Sequence, residues 1–249
     1  MIDQKTCLGF LIAAQGQKPF IHVWRWNQQS LYLRSALSET FSCLCVTNDK
    51  LFCIAGTMQS NLLFIWEIES GKLIKSWEAH YKGIRVVKTD KSGNWIISGG
   101  EDGIINIWSL AEVIDLQIAK PTAKYSYTEH TMPINCIYCA ENGRIISGSE
   151  DRSCKVWKMG DKKPLQSTLL FDSSVSSVTM DPIEKYIFVG TEKGKIFQIE
   201  TYKDNLPKII SSSLILSSLF SYGVHASRIN DLKVSEDSLF LISGASDGK

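Results

Sequence analysis

The chain consists of short apolar runs that alternate with small polar clusters. Residues 84–110 show the pattern: an Ile- and Val-rich run, the cluster KSGN, the run WIISGG, the cluster EDG and the run IINIW. Such runs, bounded by Gly, Asp, Asn and Ser, are typical of β-strands joined by hairpin turns. The succession recurs over residues 134–159 and begins again at residue 229. The pattern predicts an all-β protein built from antiparallel meanders.

Aromatic residues end the third run of successive meanders at a regular interval. They are Trp24, Trp66, Trp108 and Trp157, with Phe197 in the equivalent place of a fifth unit. The steps between them are 42, 42, 49 and 40 residues, which is close to the length of a four-stranded propeller blade. The period therefore predicts a β-propeller of consecutive four-stranded units.

Three units carry a His, a Ser and an Asp at matching distances. The step from His to Ser is 17 or 18 residues, from Ser to Asp 4, and from Asp to Trp 6. The sets are His80, Ser98, Asp102 and Trp108; His130, Ser147, Asp151 and Trp157; and His225, Ser243 and Asp247, after which the chain stops before a Trp is due. Because the connections of a meander alternate between its two ends, the His and the Asp of a unit are expected at the same end.

This combination of spacing and residue types resembles the WD-repeat family. The resemblance implies a hydrogen-bond chain in each blade, in which the Asp accepts from the His, the His engages the Ser hydroxyl, and the Ser meets the Trp indole N–H. Each buried polar group then has a partner, which avoids a cost of about 1–3 kcal/mol per unpaired group. The three sets are therefore expected to be structural tetrads.

The same His, Ser and Asp also suggest a hydrolase triad. A catalytic Ser occurs once, in a pocket with an oxyanion site, whereas this constellation recurs in three units. We therefore expect no enzymatic activity, no catalytic residue and no cofactor. Cys136 and Cys139 form a CxxC pair, but in an extended strand they point to opposite faces, so we expect buried thiols rather than a metal site.

Bulk properties fit a soluble globular protein. The 249 residues carry a net charge of +1 from 27 basic and 26 acidic side chains, which argues against a domain that wraps nucleic acid. RNA contact, direct or indirect, remains an alternative only at local sites such as the Trp24-Arg25-Trp26 segment. The seven Cys residues are scattered through apolar runs, which favours a reducing compartment. No apolar run approaches membrane-spanning length, so no membrane partner is expected.

Some units depart from the pattern. The first two keep the Trp but lack the Asp and the preceding His, and the fifth has Lys193 in the turn and Phe197 for Trp. These blades are expected to rely on apolar packing. The sixth unit stops at Lys249, in the turn before its third strand. Because propellers avoid open sheet edges by closing the ring, we expect one WD-repeat propeller domain over residues 1–249 that is incomplete at its C-terminus, with five and a half blades of seven.

Two links between third and fourth strands are long. In residues 110–128, one face of a short helix that ends at Pro121 is expected to contain Leu110, Val113, Ile114 and Ile118. In residues 201–222, the run SLILSSLF is expected to form the fourth strand of its blade. Both links fall at the end opposite the His and Asp turns, and long loops on a rigid scaffold are natural contact sites.

Several segments resemble one branch of the family, the WD-repeat subunits of the rixosome. They are residues 9–24, 79–84, 108–117 and 176–200, with the HTMPINCI run that begins at His130. The resemblance implies a non-enzymatic scaffold for biogenesis of the large (60S) ribosomal subunit and removal of the internal spacer from pre-rRNA. It implies a location in the nucleolus and nucleoplasm, with the cytoplasm as an additional site. The implied partners are a helical-repeat rixosome subunit, the midasin ATPase and pre-60S particles.

The alternative is a WD-repeat scaffold of another complex, either a ubiquitin-ligase substrate receptor or a chromatin-associated protein. The sequence also leaves open which end of the blades binds partners. At the His and Asp end, the exposed candidates are Lys82, Glu101, Met132 and Glu150. At the opposite end, the links 110–128 and 201–222 are the candidates.

Overall fold

The computed structural model describes residues 10–14, 20–25, 31–36, 39–201 and 219–248. Most of them lie in short antiparallel strands, because runs of β-branched and aromatic residues alternate with turns that contain Gly, Asp and Ser. The strands form six sheets, numbered here as blades 1 to 6 in chain order. The only helix in the described ranges has five residues, too short to cross a membrane.

The blades have the following strands. Blade 1 contains β1 (Phe10–Ala14), β2 (Phe20–Arg25) and β3 (Leu31–Ala36), and blade 2 contains β4 (Phe41–Val46), β5 (Phe52–Thr57), β6 (Leu62–Glu67) and β7 (Leu73–Glu78). Blade 3 contains β8 (Ile84–Thr89), β9 (Trp95–Gly100), β10 (Ile105–Ser109), the helix α1 (Leu110–Ile114) and β11 (Tyr125–Tyr127). Blade 4 contains β12 (Ile134–Cys139), β13 (Arg144–Ser149), β14 (Ser153–Lys158) and β15 (Leu165–Leu170). Blade 5 contains β16 (Val175–Met180), β17 (Tyr186–Thr191), β18 (Lys195–Glu200) and β19 (Leu219–Gly223), and blade 6 contains β20 (Ile229–Val234) and β21 (Leu241–Ala245).

The sheets are arranged as the blades of a propeller. Within blades 2 to 5 the four strands pair in chain order, and the first strands β4, β8, β12, β16 and β20 contact one another in succession. The histidine face is defined here as the end with the links into the first strands and between second and third strands. The opposite face has the links between first and second strands and between third and fourth strands.

The hydrophobic core lies in the seams between neighbouring blades. Alternate residues of a strand enter opposite seams, as expected from the two-residue period of the β-conformation. Ile105 and Ile107 of β10 pack in the seam between blades 3 and 4, whereas Trp108 packs in the seam between blades 2 and 3. Because both faces of β6 are buried, its sequence LLFIW is a continuous apolar run rather than an alternating one.

Four seams are closed near the axis by a glycine of the second strand. A Cβ atom built there would lie 2.3–2.9 Å from a β-branched side chain of the next blade's first strand. The pairs are Gly56 with Ile84, Gly99 with Ile134, Gly148 with Val175, and Gly190 with Ile229. Only a residue without a side chain lets the two strands approach this closely.

The long link of blade 3 corrects the expected helix. The helix ends at Ile114, so Ile118 and Pro121 lie beyond it, and Asp115 already has an extended backbone. The Lys75 ammonium of blade 2 donates to the carbonyls of Asp115 and Ile118 at 2.6 and 2.7 Å. These carbonyls are thus held outside the helical ladder, which accounts for the early end.

Blade 5 corrects one further expectation. Most of the run SLILSSLF, expected to form the fourth strand, lies in residues 202–218, outside the described residues, and its last two residues begin β19. Strand pairing places Ile199 opposite Ile187, the position that Trp108 holds opposite Ile96. The prediction that Phe197 takes the Trp place was wrong by two residues, because it followed aromatic identity instead of strand register.

Candidate functional site

The spaced polar residues of blade 3 form a continuous hydrogen-bond chain beneath the histidine face. The indole N–H of Trp108 donates to Oγ of Ser98 at 3.1 Å, and that oxygen lies 2.8 Å from Nε2 of His80. Nδ1 of His80 lies 3.0 Å from Oδ2 of Asp102. Because the Ser oxygen accepts from the indole, its own proton points to Nε2, and the ring proton on Nδ1 points to the carboxylate.

Blades 4 and 6 repeat this geometry. In blade 4 the indole-to-Ser, Ser-to-His and His-to-Asp distances are 2.8, 2.7 and 2.7 Å, for Trp157, Ser147, His130 and Asp151. In blade 6, Oγ of Ser243 lies 2.8 Å from Nε2 of His225, whose Nδ1 lies 3.2 Å from Oδ2 of Asp247. The structure thus brings together the members of all three predicted sets.

The carboxylates at the ends of the hydrogen-bond chains of blades 3 and 4 are held in the ionised form. Burial on its own raises the pKa of Asp102, but the hydrogen bond and charge of His80 and the N–H groups of Ile104 and Tyr81 lower it below the usual value overall. Asp151 follows the same rule: burial raises its pKa, and His130 and other donors lower it far more. An ionised acceptor suits a neighbouring Nδ1–H donor.

The arrangement has the residue types of a catalytic triad but leaves the hydroxyl no room to react. Ser98 and Ser147 are both 0% exposed. Each oxygen accepts from an indole and each hydroxyl proton is directed to a histidine. A nucleophile needs access to a substrate carbonyl beside oxyanion donors. The hydrogen bonds instead connect the second strand, the third strand and the link that precedes the first strand of the same blade.

Arg85 joins two blades on the histidine face. Its guanidinium contacts Glu101 of blade 3 at 2.8 Å, Glu150 of blade 4, and Oδ1 of Asn135 at 2.9 Å. Two of the predicted partner-contact residues are therefore engaged inside the molecule. Sequence spacing did not reveal this network, because Glu150 lies 65 residues from Arg85. Of the other two candidates, Lys82 is exposed and Met132 is 48% exposed.

Comparison with protein families identifies the repeats. The family model "WD domain, G-beta repeat" matches residues 71–109, 121–158 and 216–249, the segments that carry the three hydrogen-bond chains. The chain carries WD repeats.

Several curated proteins resemble this WD-repeat chain over most of its length. WD repeat-containing protein 18 of Danio rerio is 29% identical over 245 residues, covering 96% of this chain and 56% of the relative. Pre-rRNA-processing protein IPI3 of Candida albicans is 25% identical over 290 residues, covering 96% and 57%. Protein ROOT INITIATION DEFECTIVE 3 of Arabidopsis thaliana is 28% identical over 202 residues, covering 79% and 46%. The chain spans about half the length of these relatives.

Blade 5 replaces the polar chain with apolar side chains. Strand register places Val189 at the Ser position and Ile199 at the Trp position, while Phe171 stands four residues before its first strand, where His80 and His130 stand before theirs. The rings of Phe171 and Phe197 are 5.0 Å apart, and all four side chains belong to the seam between blades 4 and 5. Lys193 takes the Asp position and is exposed.

Blade 2 keeps its Trp but surrounds it with aromatic rings. Trp66 stacks on Phe64 at 5.6 Å and meets Phe41 edge-on at 5.5 Å. Pairing of Trp66 with Cys53 places Ala55 at the Ser position. The expectation that these blades rely on apolar packing is consistent with both arrangements.

The link 110–124 fastens blade 3 to blade 2. Leu110 and Val113 are buried in the seam between the two blades, and the Lys75 ammonium holds the end of the helix. On the outside, Lys120 pairs with Glu78 of blade 2 at 3.1 Å. The start of this predicted contact loop therefore packs against its own molecule, whereas much of the rest is exposed, including Leu116 at 72%.

The six described cysteines are free thiols. Cys136 packs in the seam between blades 4 and 5, whereas Cys139 packs in the seam between blades 3 and 4, so the CxxC pair points to opposite faces. Burial raises the pKa of both thiols to about 12. Among the described residues, no group of His, Cys, Asp and Glu is placed to hold a metal ion.

Proposed function

We propose that this chain is part of a non-enzymatic WD-repeat scaffold that acts in biogenesis of the large ribosomal subunit. The observation that carries the proposal is the match over nearly the whole chain to a pre-rRNA-processing protein and to WD repeat-containing protein 18. The proposed role is support for removal of the internal spacer from pre-rRNA within a rixosome-like complex. The proposed location is the nucleus.

The site geometry supports a scaffold role in preference to an enzymatic one. The recurring Ser hydroxyls are buried and hydrogen-bonded, as a structural chain requires and a nucleophile does not allow. The packed sheets present loops at two faces, which suits simultaneous contacts with several partners. We propose that these partners are a helical-repeat subunit, the midasin ATPase and pre-60S particles.

Affinity purification tests the proposal. The tagged full-length protein is purified from nuclei beside an equally tagged WD-repeat protein of another nuclear complex. We expect the midasin ATPase, one helical-repeat protein and large-subunit precursors to be enriched over the control. Recovery of ubiquitin-ligase or histone components in their place would overturn the proposal. Depletion of the protein should also cause pre-rRNA that retains the internal spacer to accumulate.

We further propose that the histidine face binds the helical-repeat partner. Lys82 and Met132 are exposed there, whereas the helix of the competing link 110–128 has Leu110 and Val113 buried against blade 2. The double variant Lys82→Glu/Met132→Ala should lose the partner in the same purification. The matched variant Lys162→Glu/Lys163→Ala, at exposed positions of the opposite face, should retain it. The reverse result would assign binding to the opposite face.

A further inference from the structure

The axial channel contains a cavity in which cations outnumber carboxylates. The cavity has a volume of about 560 Å³ and is lined mainly by residues of the first strands of blades 3 to 6. Lys88 and Lys91 line it from blade 3, and Lys233 lines it from blade 6. Asp231 is the one acidic side chain among its described lining residues. Three ammonium groups and one carboxylate leave the cavity with a net charge of +2.

The three ammonium groups have no carboxylate partner inside the described part of the molecule. None of the ion pairs found there includes Lys88, Lys91 or Lys233. The carboxylate of Asp231 accepts the N–H of the next residue at 2.9 Å. Asp90 follows β8, but its carboxylate accepts N–H groups of its own turn. The positive charge of the cavity is therefore available to a ligand.

Two of the lysines hold the same position in different blades. Lys88 pairs with Ile97 and Lys233 pairs with Ile242, and each isoleucine directly precedes the Ser of its hydrogen-bond chain. The first strands of blades 4 and 5 lie between those of blades 3 and 6, so the two ammonium groups enter the cavity from separate sides. In blade 4 the same position is Tyr138, which also lines the cavity. Burial raises the pKa of Tyr138, so its hydroxyl is a neutral donor.

The charge and the donors of the cavity match a phosphate monoester. Such a group carries a charge of about −1.5 to −2 at pH 7 and presents three strong acceptor oxygens. A net charge of +2 balances this charge, and three ammonium groups can each meet one oxygen. The amide of Asn230 lines the same cavity and accepts the Ser246 hydroxyl through Oδ1 at 3.1 Å, which leaves its NH₂ group to donate. A carboxylate has only one charge and two oxygens.

A nucleic-acid strand fits the cavity less well than a phosphate monoester. Each phosphate inside a strand carries a single charge, and binding needs a path of cations along the backbone. Binding of a single strand also uses aromatic rings on which the bases stack. Of the exposed aromatic residues in the described ranges, Tyr81, Tyr125 and Phe240, none lines this cavity.

We propose that the axial channel binds one phosphate monoester group between Lys88, Lys91 and Lys233. The group enters from the opposite face, because Lys91 lies in a link between first and second strands. A phosphorylated Ser or Thr of a protein segment and a free small phosphate share this chemistry. The site differs from the proposed partner surface on the histidine face and does not depend on the proposed function.

Peptide arrays test the protein-borne source. The full chain is applied to 12-residue peptides of random sequence with a fixed central phosphoserine, beside matched arrays with Ser or Glu at that position. We expect a subset of peptides to bind about tenfold more tightly with phosphoserine than with Glu, since a hydrogen bond between charged groups is worth about 1.5–3 kcal/mol. The preference should disappear in Lys88→Met and in Lys233→Met, and should persist in Lys88→Arg.

Calorimetric titration with inorganic phosphate tests the free source, with chloride at equal ionic strength as the reference. Heat of phosphate binding that Lys88→Met removes, together with no phosphoserine preference on the arrays, would assign the site to a small phosphate. A phosphoserine preference that inorganic phosphate competes away would assign it to a protein segment. Either result supports the proposed site.

Lys162→Met is the matched control, because Lys162 is an exposed lysine that does not line the cavity. It should retain binding in both experiments. Thermal unfolding shows that Lys88→Met is folded, and its Tm should not fall, because the substitution removes an unpaired charge. Absence of binding to both probes, or binding that survives Lys88→Met and Lys233→Met, would overturn the proposal. Binding of oligouridine with a 5′-hydroxyl end that Lys88→Met abolishes would overturn it in favour of nucleic acid.

Discussion

The seam between blades 3 and 4 and the seam between blades 4 and 5 are closed by different chemistry. In the first, the indole of Trp157 stacks on Tyr127 with ring centroids 5.0 Å apart. Its N–H also donates to Ser147, and the hydrogen-bond chain continues from Ser147 to His130 and Asp151. In the second, the corresponding positions are apolar and the rings of Phe171 and Phe197 pack together.

The difference shows that the Ser, His and Asp of the hydrogen-bond chain occur together in blades 3, 4 and 6 and are absent together from blade 5. Blade 2 keeps the indole of Trp66 without the Ser. A buried hydroxyl, indole or imidazole without its partner costs about 1–3 kcal/mol, whereas replacing partners together by apolar groups is nearly neutral. Blade 5 has changed all four positions, with Val189 for Ser and Ile199 for Trp. No blade in the described residues combines the Ser of the chain with an apolar residue at the His position. We therefore expect substitutions in the two seams to lower the free energy of unfolding by different amounts.

Removal of the indole should have the largest effect. Trp157→Ala leaves a large cavity and also deprives Ser147 of its donor, so we expect the free energy of unfolding to fall by about 4 kcal/mol. Ile199→Ala at the same position of blade 5 should cost about 2–3 kcal/mol. Urea denaturation with comparable m-values measures both. Equal losses in the free energy of unfolding would show that the hydrogen-bond chain adds no stability beyond that of side-chain packing.

Addition of one methyl group near the axis should come next. The new Cβ of Gly148→Ala would lie 2.3 Å from Cγ1 of Val175, so we expect a loss of about 3 kcal/mol from overpacking. Gly223→Ala, in the edge strand β19 with no atom within 4 Å of its Cβ position, is the matched control and should change stability by less than about 0.5 kcal/mol. A tolerated Gly148→Ala would contradict the close approach.

A single hydroxyl should have opposite roles in the two seams. Ser147→Ala leaves the indole N–H of Trp157 and Nε2 of His130 unpaired and should cost about 2 kcal/mol. Val189→Thr inserts an unpartnered hydroxyl into blade 5 and should cost about 1–2 kcal/mol. The double variant Ser147→Ala/Trp157→Phe should lose less than the sum of its single variants. Strict additivity in this cycle would argue against a cooperative chain.

Acidification should produce the smallest and most specific difference. The pKa of Asp151 is below its usual value in the folded protein, so its stabilising effect is present above the ordinary carboxyl pKa of about 3.9 and is lost as the pH falls below it. Asp151→Asn should be less stable than the parent at pH 7 but should lose less Tm between pH 5 and pH 3. Parallel Tm curves for the two proteins would rule out this contribution.

Local pattern was sufficient to predict the strands and the blade period, and the resemblance to the WD-repeat family implied the hydrogen-bond chains. The steps from His80 to Ser98 and Asp102 lie within one repeat, where chain length fixes which residues can meet. Apolar runs bounded by turn residues likewise placed most strands, because each run is as long as the strand it forms. For these features, the residues that meet in space belong to the same repeat.

Contacts between repeats could not be predicted in this way. Arg85 reaches Glu150 across a seam, and no spacing within a repeat indicates that pair. The apolar set of blade 5 was partly missed because Phe171 and Ile199 match His and Trp only in position, not in chemistry. The end of α1 depended on Lys75 of another blade. In each case the deciding partner lay in a different repeat.

The glycines beside the axis determine which changes this ring can accumulate. Each one is matched to a β-branched residue of the following repeat, as Gly99 is to Ile134 and Gly190 is to Ile229. A larger residue at one member is tolerated only if the other becomes smaller, so the two positions must vary together. The same pairing of a glycine with a β-branched residue occurs in four successive seams, so each seam can accept the blade of another. A duplicated repeat could therefore insert between two blades without a new type of interface. What must be kept during such a duplication is the glycine and β-branched pair that two neighbouring blades share.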